Sequence, residues 1–354
     1  MFTEERIVTP REQGYHMPAE WHPHEACWMA WPHDAIAWRG HHREAKHSIA
    51  TLANSISEFE PVKMLVPQAA RKEAGRFCGS QVEFVPCPID DAWTRDTCPS
   101  FLLDQKGDLA GVNWRFNGWG DLEFANWQKD KELARRICQV LDIPCFGAPI
   151  MNEGGAVHVD GEGTVLCTRT TLLDPNRNPE LSIREAEQVL CNYLGAEQVI
   201  WLDRGYEQDE TGGHIDVVAS FVSPGRVMHL STSNPDDPNY DRFERNIQRL
   251  EETTDARGRR LEVVRMPQPE GWYEGTRRIS SSYVNFYMAN EAIFVPLFDE
   301  RTDEEAMAIL QALFPTREIV GMPEAAAVFY GGGGVHCVTQ QQPSCESPSP
   351  GSRK

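Results

Sequence analysis

One order of segments recurs along this chain and limits what it can fold into. A helical stretch is followed by a short β run, and then by two apolar runs joined through a tight glycine turn. The turns fall at Gln105-Lys106-Gly107-Asp108, at Asp160-Gly161-Glu162-Gly163 and at Ser223-Pro224-Gly225. Such turns join antiparallel strands. Helices are expected over 42–58, 127–141, 181–194, 239–253 and 302–313, each with apolar residues three and four apart, as with Ile49, Leu52, Ile56 and Phe59. Hairpins are expected at 100–116, 156–169, 217–230 and 283–298. That makes five helix-plus-strand units. The fifth hairpin can be completed only if the C-terminal strand, read in VHCVTQQ, pairs with an N-terminal strand around Trp28. A repeat of roughly 50–70 residues whose ends must meet is the signature of a closed radial array. The fold class expected is therefore α/β, a closed radial array of five such units. A doubly wound parallel sheet fits less well, because it has no place for an antiparallel pair in nearly every unit. Residues 1–343 form one catalytic domain in this reading. The polar tail 344–354 is expected to be disordered.

Composition narrows the function. The formal charge of −19 argues against nucleic acid and anionic membranes and suits a cationic ligand. No run of about 18 apolar residues is present, and the polar start MFTEERIVTPREQG does not read as a secretory signal. Ten scattered cysteines without a CxxC pair point to reduced thiols in the cytoplasm, rather than to disulfides or structural zinc. Seven of the eleven histidines lie between residues 16 and 47, but no HExxH accompanies them and no metal is expected.

The unusual polar residues fall at matching places in the repeat. Trp93 and Asp96 (WTRD) precede the first hairpin, and Glu153 (NEGG) precedes the second. His214 and Asp216 (GGHID) open the third, and His336 and Cys337 follow the four glycines 331–334 before the last strand. In a radial array these places converge, although the chain between Asp96 and Cys337 runs for about 240 residues. Each has a plainer alternative: His214 as a core histidine, Asp96 paired to Arg95, Glu153 as a wet turn residue, Cys337 as one buried thiol among ten. Together they make sense as chemistry. A thiolate is the attacking form of cysteine, an imidazolium favours it, and a carboxylate orients the imidazole. Two further buried acids would repel each other unless a cation lay between them, and a flat guanidinium is the natural one. With Cys337 on a strand, His336 beside it points to the opposite face, so His214 is expected to be the working histidine.

These residues resemble those of the agmatine deiminases, within the guanidine-modifying superfamily of five-bladed α/β propellers. The likeness runs nearly end to end, through MPAEWHPHEACWMAWP, DAWTRDTCPSF, WRFNGWG, NEGGAVHVDGEGTVLCTRTTLLDPNRNP, GHIDVV, SSYVNFYMAN and GGGGVHCVTQQQP. It implies Cys337 as nucleophile, His214 as general acid and base, and Glu153 beside the histidine. Asp96 and Asp216 would hold the guanidinium, with Trp93 and Trp119 lining the pocket. No cofactor and no metal is implied. The reaction implied is hydrolysis of agmatine to N-carbamoylputrescine and ammonia through a Cys-linked thiouronium. The alternatives are an arginine or peptidyl-arginine deiminase, an amidinotransferase, or a non-catalytic polyamine-binding protein. Cys98, Glu291 and Gly334 depart from the family pattern and bear on substrate preference. A homo-oligomer, dimer or tetramer, is compatible with the sequence.

Overall fold

The computed structural model describes residues 8–122 and 126–345. The residues of the expected tail from 346 onward lie outside that set. Six sheets form among the described residues, and five of them follow one plan. In each, an antiparallel pair is followed by a helix and then by a strand that joins the second member in parallel. Ser100–Leu103, Leu109–Arg115 and Cys145–Met151 make one such sheet. Val157–Val159, Thr164–Thr168 and Gln198–Leu202 make the next. Ala219–Ser223, Arg226–Ser231 and Glu262–Pro267 follow, and then Tyr287–Met288, Ala292–Pro296 and Glu318–Met322. The result is an α/β fold of mixed sheets.

The fifth sheet joins the two ends of the chain. Gln340–Pro343 pairs antiparallel with His24–Ala30, with Trp28 opposite Gln340 and His24 opposite Pro343. His24–Ala30 pairs in parallel with Val62–Val66, which in turn pairs with Val82–Pro86. The Trp28 indole donates to Gln342 Oε1 at 3.0 Å, so a side chain also fastens this seam.

Helices stand where the apolar spacing places them, at His42–Ile56, Leu133–Leu141, Ile183–Leu194, Tyr240–Glu251 and Glu300–Leu313. Ile183–Leu194 starts at a capping box, in which Ser182 accepts from Glu185 N and Glu185 accepts from Ser182 N. It ends at Gly195, whose φ of 64° continues no helix and suits a residue without a side chain.

Three expectations need correction. The first arm of the fourth hairpin is only Tyr287–Met288, because 280–286 bond to the neighbouring unit: Ser282 Oγ donates to Val217 O at 2.6 Å. The last strand begins at Gln340, not at Val335, because the backbone of His336 donates to Asn285 Oδ1 at 3.0 Å and the chain turns there. A further hairpin, Trp272–Glu274 with Arg277–Ile279, was not expected; it turns at Gly275 (φ 62°).

Candidate active site

Five loops, one leading into the first strand of each sheet, carry the site. Asp96 lies in the one-turn helix Thr94–Thr97, and Glu153 precedes the turn Gly154–Ala156. His214 precedes the short helix Ile215–Val218, which contains Asp216. Asn285 lies just before Tyr287–Met288, and Cys337 just before Gln340–Pro343. All of these side chains are buried.

The structure brings together all five residues proposed for chemistry. Cys337 Sγ lies 3.6 Å from Asp216 Oδ2. His214 Nδ1 lies 3.8 Å from Asp96 Oδ1 and 4.0 Å from Asp216 Oδ1, and Nε2 lies 3.3 Å from Glu153 Oε2. Glu153 is fully enclosed, and the Arg177 guanidinium grips both its oxygens through Nε at 2.9 and 3.1 Å. Asp96 accepts from Gly155 N at 3.0 Å and from the Trp119 indole at 2.8 Å. Arg95 pairs with Glu20 rather than with Asp96. A side chain at 155 is excluded: its Cβ would stand 2.7 Å from His214 Nδ1 and 2.9 Å from both Asp96 and Asp216.

Charge in this enclosed space sets the proton positions. Burial works against a charged His214, but Asp96, Glu153 and Asp216 outweigh it and hold the imidazole up at about 9. His214 is thus an imidazolium at neutral pH. Burial, then Asp216 and Asp96, push the Cys337 thiol well above its usual value, so it rests protonated. Burial also raises Asp96, against the pull of His214. Burial opposes the charge on Glu153 and Asp216, yet both lie below the usual carboxylate range, held there chiefly by Arg177 and by His336. Two polar atoms at the centre have no protein partner: His214 Nδ1 and Asp216 Oδ1.

A narrow cleft leads down to Cys337 and Asp96. Its walls include Trp93, Trp119, Glu210, Thr211 and the glycines at 331–333. Trp93 stacks on Trp38 at 5.1 Å, and Asp91 fixes both indoles by accepting from them at 2.8 and 3.1 Å. Burial raises Asp91 to about 7. At the mouth Glu210 pairs with Arg39 at 2.9 Å and with Arg277 of the unexpected hairpin at 3.0 Å.

Sequence reasoning missed Asn285, Arg177 and the part played by His336. Asn285 Nδ2 stands 3.3 Å from Cys337 Sγ and also donates to Asp216 O at 3.2 Å. It occupies in the fourth unit the place that the acids and the thiol occupy in the others, so the repeat itself was the available signal. His336 is not turned away by strand alternation, since residues 335–338 form a turn. Its Nδ1 lies 2.8 Å from Asp216 Oδ2. Cys98 is buried among Trp28, Leu65 and Phe101 and does not line the cleft, so it does not shape the pocket wall. Glu291 is exposed in a hairpin turn. Gly334 fits its surroundings closely, since a Cβ there would stand 2.3 Å from Phe329 Cζ and 2.4 Å from Asn285 Oδ1. The N-terminal histidines serve separate local bonds, as with His24 to Glu60 at 3.1 Å and His42 to Pro32 O at 2.6 Å.

Comparison with known proteins gives the family of the chain. Residues 16–343 match the family model described as Porphyromonas-type peptidyl-arginine deiminase. An agmatine deiminase of Pseudomonas aeruginosa is 42% identical over 359 residues, covering 95% of this chain and 97% of that protein. One from Ectopseudomonas mendocina is 40% identical over 360 residues, with 95% and 98% covered. Among solved structures, the agmatine deiminase of Enterococcus faecalis superposes with a TM-score of 0.92 at 34% identity, covering 98% of this chain and all of that one. The chain belongs to the Porphyromonas-type peptidyl-arginine deiminase family and, within it, to the agmatine deiminases.

Proposed function

We propose that this protein hydrolyses agmatine to N-carbamoylputrescine and ammonia, with Cys337 as nucleophile and His214 as proton donor and acceptor. The carrying observation is the cleft: it ends on a thiol beside two carboxylates, and no lysine or arginine is among its described lining residues. Agmatine is cationic at both ends. Arginine adds an α-carboxylate, and Arg39 and Arg277 at the mouth are already paired with Glu210.

The chemistry follows from the charges. The substrate guanidinium, set between Asp96 and Asp216, offsets the two charges that hold the Cys337 proton, and the thiol ionises, giving its proton to solvent water. The thiolate attacks the guanidinium carbon. Imidazolium His214 gives its proton to the departing nitrogen, and ammonia leaves behind a thiouronium on Cys337. Neutral His214 then takes a proton from water, and the hydroxyl adds to the same carbon. The C–S bond breaks as the hydroxyl proton of the adduct passes to the departing sulfur, which releases the neutral ureido product and the resting thiol, with His214 again protonated. Glu153, locked by Arg177, keeps the imidazole aimed through Nε2 and leaves Nδ1 facing the substrate. Trp93 and Trp119 enclose the chain of the substrate, and Asn285 orients the sulfur.

The same reading extends to the whole molecule. The five like sheets, with first and last strands paired, are the blades of a five-bladed α/β propeller, and residues up to 343 form one catalytic domain. Ten free cysteines suit a reducing cytoplasm. No helix among the described residues is long and apolar enough to cross a membrane. Ammonia release from agmatine and from arginine, assayed side by side, tests the substrate: agmatine is turned over and arginine at least a hundredfold less efficiently. Comparable rates would refute the assignment. Cys337→Ser abolishes ammonia release, and a variant that still releases it would remove Cys337 from the mechanism and leave the site without a nucleophile.

A further inference from the structure

Behind the two carboxylates lies a second buried row of charged groups that the reaction as derived above does not use. Each nitrogen of His336 faces a carboxylate oxygen at 2.8 Å: Nδ1 faces Asp216 Oδ2, and Nε2 faces Glu20 Oε1. Glu20 Oε1 also accepts from Arg95 Nη1 at 3.1 Å, and Glu20 Oε2 lies 3.6 Å from His158 Nε2. All five residues are buried. Glu20, His158 and His336 have the spacing of a metal set. On Glu20, Oε1 is shared by Arg95 and His336.

An imidazole between two carboxylates satisfies both only when both of its nitrogens carry protons. The opposing charges of Glu20 and Asp216 outweigh burial and Arg95, so that His336 lies above its usual value. Asp216 then has one oxygen bonded to His336 and the other, Oδ1, without a hydrogen-bond partner. Asp216 Oδ1 also lies 4.0 Å from the free nitrogen of His214.

We infer that His336, held by Glu20, is a positioning residue: bonded through both ring nitrogens to carboxylates, it turns the free oxygen of Asp216 toward the substrate guanidinium and screens the charge of Asp216 from Cys337. This rests on the deiminase reading of the site. The groups facing His336 and Asp216 are Glu20, Arg95, His158, His214, Asp96 and Cys337. His336 joins Asp216 to Glu20, and Arg95 pairs with Glu20 behind it. Without the His336 charge, Asp216 acts on the thiol unscreened, and the thiol ionises at higher pH.

The test uses the full chain as wild type, His336→Gln and Glu20→Gln. The pH dependence of Cys337 alkylation by iodoacetamide is followed on its own peptide by mass spectrometry, together with kcat/KM for agmatine from pH 6 to 10. Near-UV circular dichroism reports whether each variant is folded. The expected result is an alkylation midpoint moved to higher pH in His336→Gln, a smaller move in Glu20→Gln, and kcat/KM reduced at least tenfold in both. If His336→Gln fails to fold, Glu20→Gln decides alone. Folded variants that alkylate with the wild-type midpoint overturn the inference. A wild type that releases no ammonia from agmatine, while the midpoint still shifts, refutes the substrate and leaves the positioning role in place.

Discussion

At the scale of single residues, the site is governed by burial and by which charge each group can see. His214 illustrates the balance. Its imidazole is fully enclosed, yet three carboxylates hold it protonated up to about 9. Its folded value thus lies above the unfolded one of about 6.5. The stabilisation is complete below that unfolded value and is lost as pH rises toward 9, because the unfolded chain then no longer binds the proton. The shift corresponds to a contribution on the order of 3 kcal/mol. Urea unfolding at pH 6.5 and 9.5 should show the wild type losing that much more than His214→Gln; equal losses would mean that His214 is not an imidazolium in the folded protein. The identities of these residues were legible in the sequence, but their company was not. Asn285 and Arg177 carry no motif of their own. His336 was set aside by a strand rule that does not apply where a backbone bond to Asn285 turns the chain.

At the scale of elements, tight packing around the glycine loop converts a local bend into a shaped wall. A Cβ at Gly334 would stand within 2.4 Å of both Phe329 and Asn285, and Asn285 in turn touches Cys337. Gly334→Ala should therefore cost about 1–3 kcal/mol of stability, as overpacking does. It should also lower kcat for agmatine more than a comparable crowding at Gly321, whose Cβ would meet the Leu297 side chain away from the cleft. Thermal unfolding and steady-state kinetics on the two variants check this, and equal kcat values would show that the loop does not position the thiol through Asn285. The helices were readable because their apolar spacing is local and regular. The first arm of the fourth hairpin was not, because Ser282 and Asn285 spend their hydrogen bonds on other units. The hairpin Trp272–Glu274 with Arg277–Ile279 also went unread, being short, polar and anchored by long-range ion pairs to Glu210.

At the scale of the whole molecule, the pairing of the chain's two ends brings the last loop to the others. Deleting Gln340 and all that follows would expose the edge of His24–Ala30 and remove the partner of the Trp28 indole. At about 1 kcal/mol per lost hydrogen bond, the lost backbone pairing and the indole bond together cost on the order of a few kcal/mol. The truncated chain should melt well below the full one in calorimetry; an unchanged Tm would show that the seam contributes nothing. The need for this seam was visible in the sequence, since five units supply only four complete hairpins. The periodicities, the turns and the chemical types of the site residues are local properties, and the sequence alone determined them. The distances among Cys337, His214, Asp96 and Asp216, the free oxygen of Asp216 and the charge on His336 were decided only by the tertiary structure. They depend on loops far apart in the chain meeting in a buried space, where each charge takes its value from neighbours that no local pattern names.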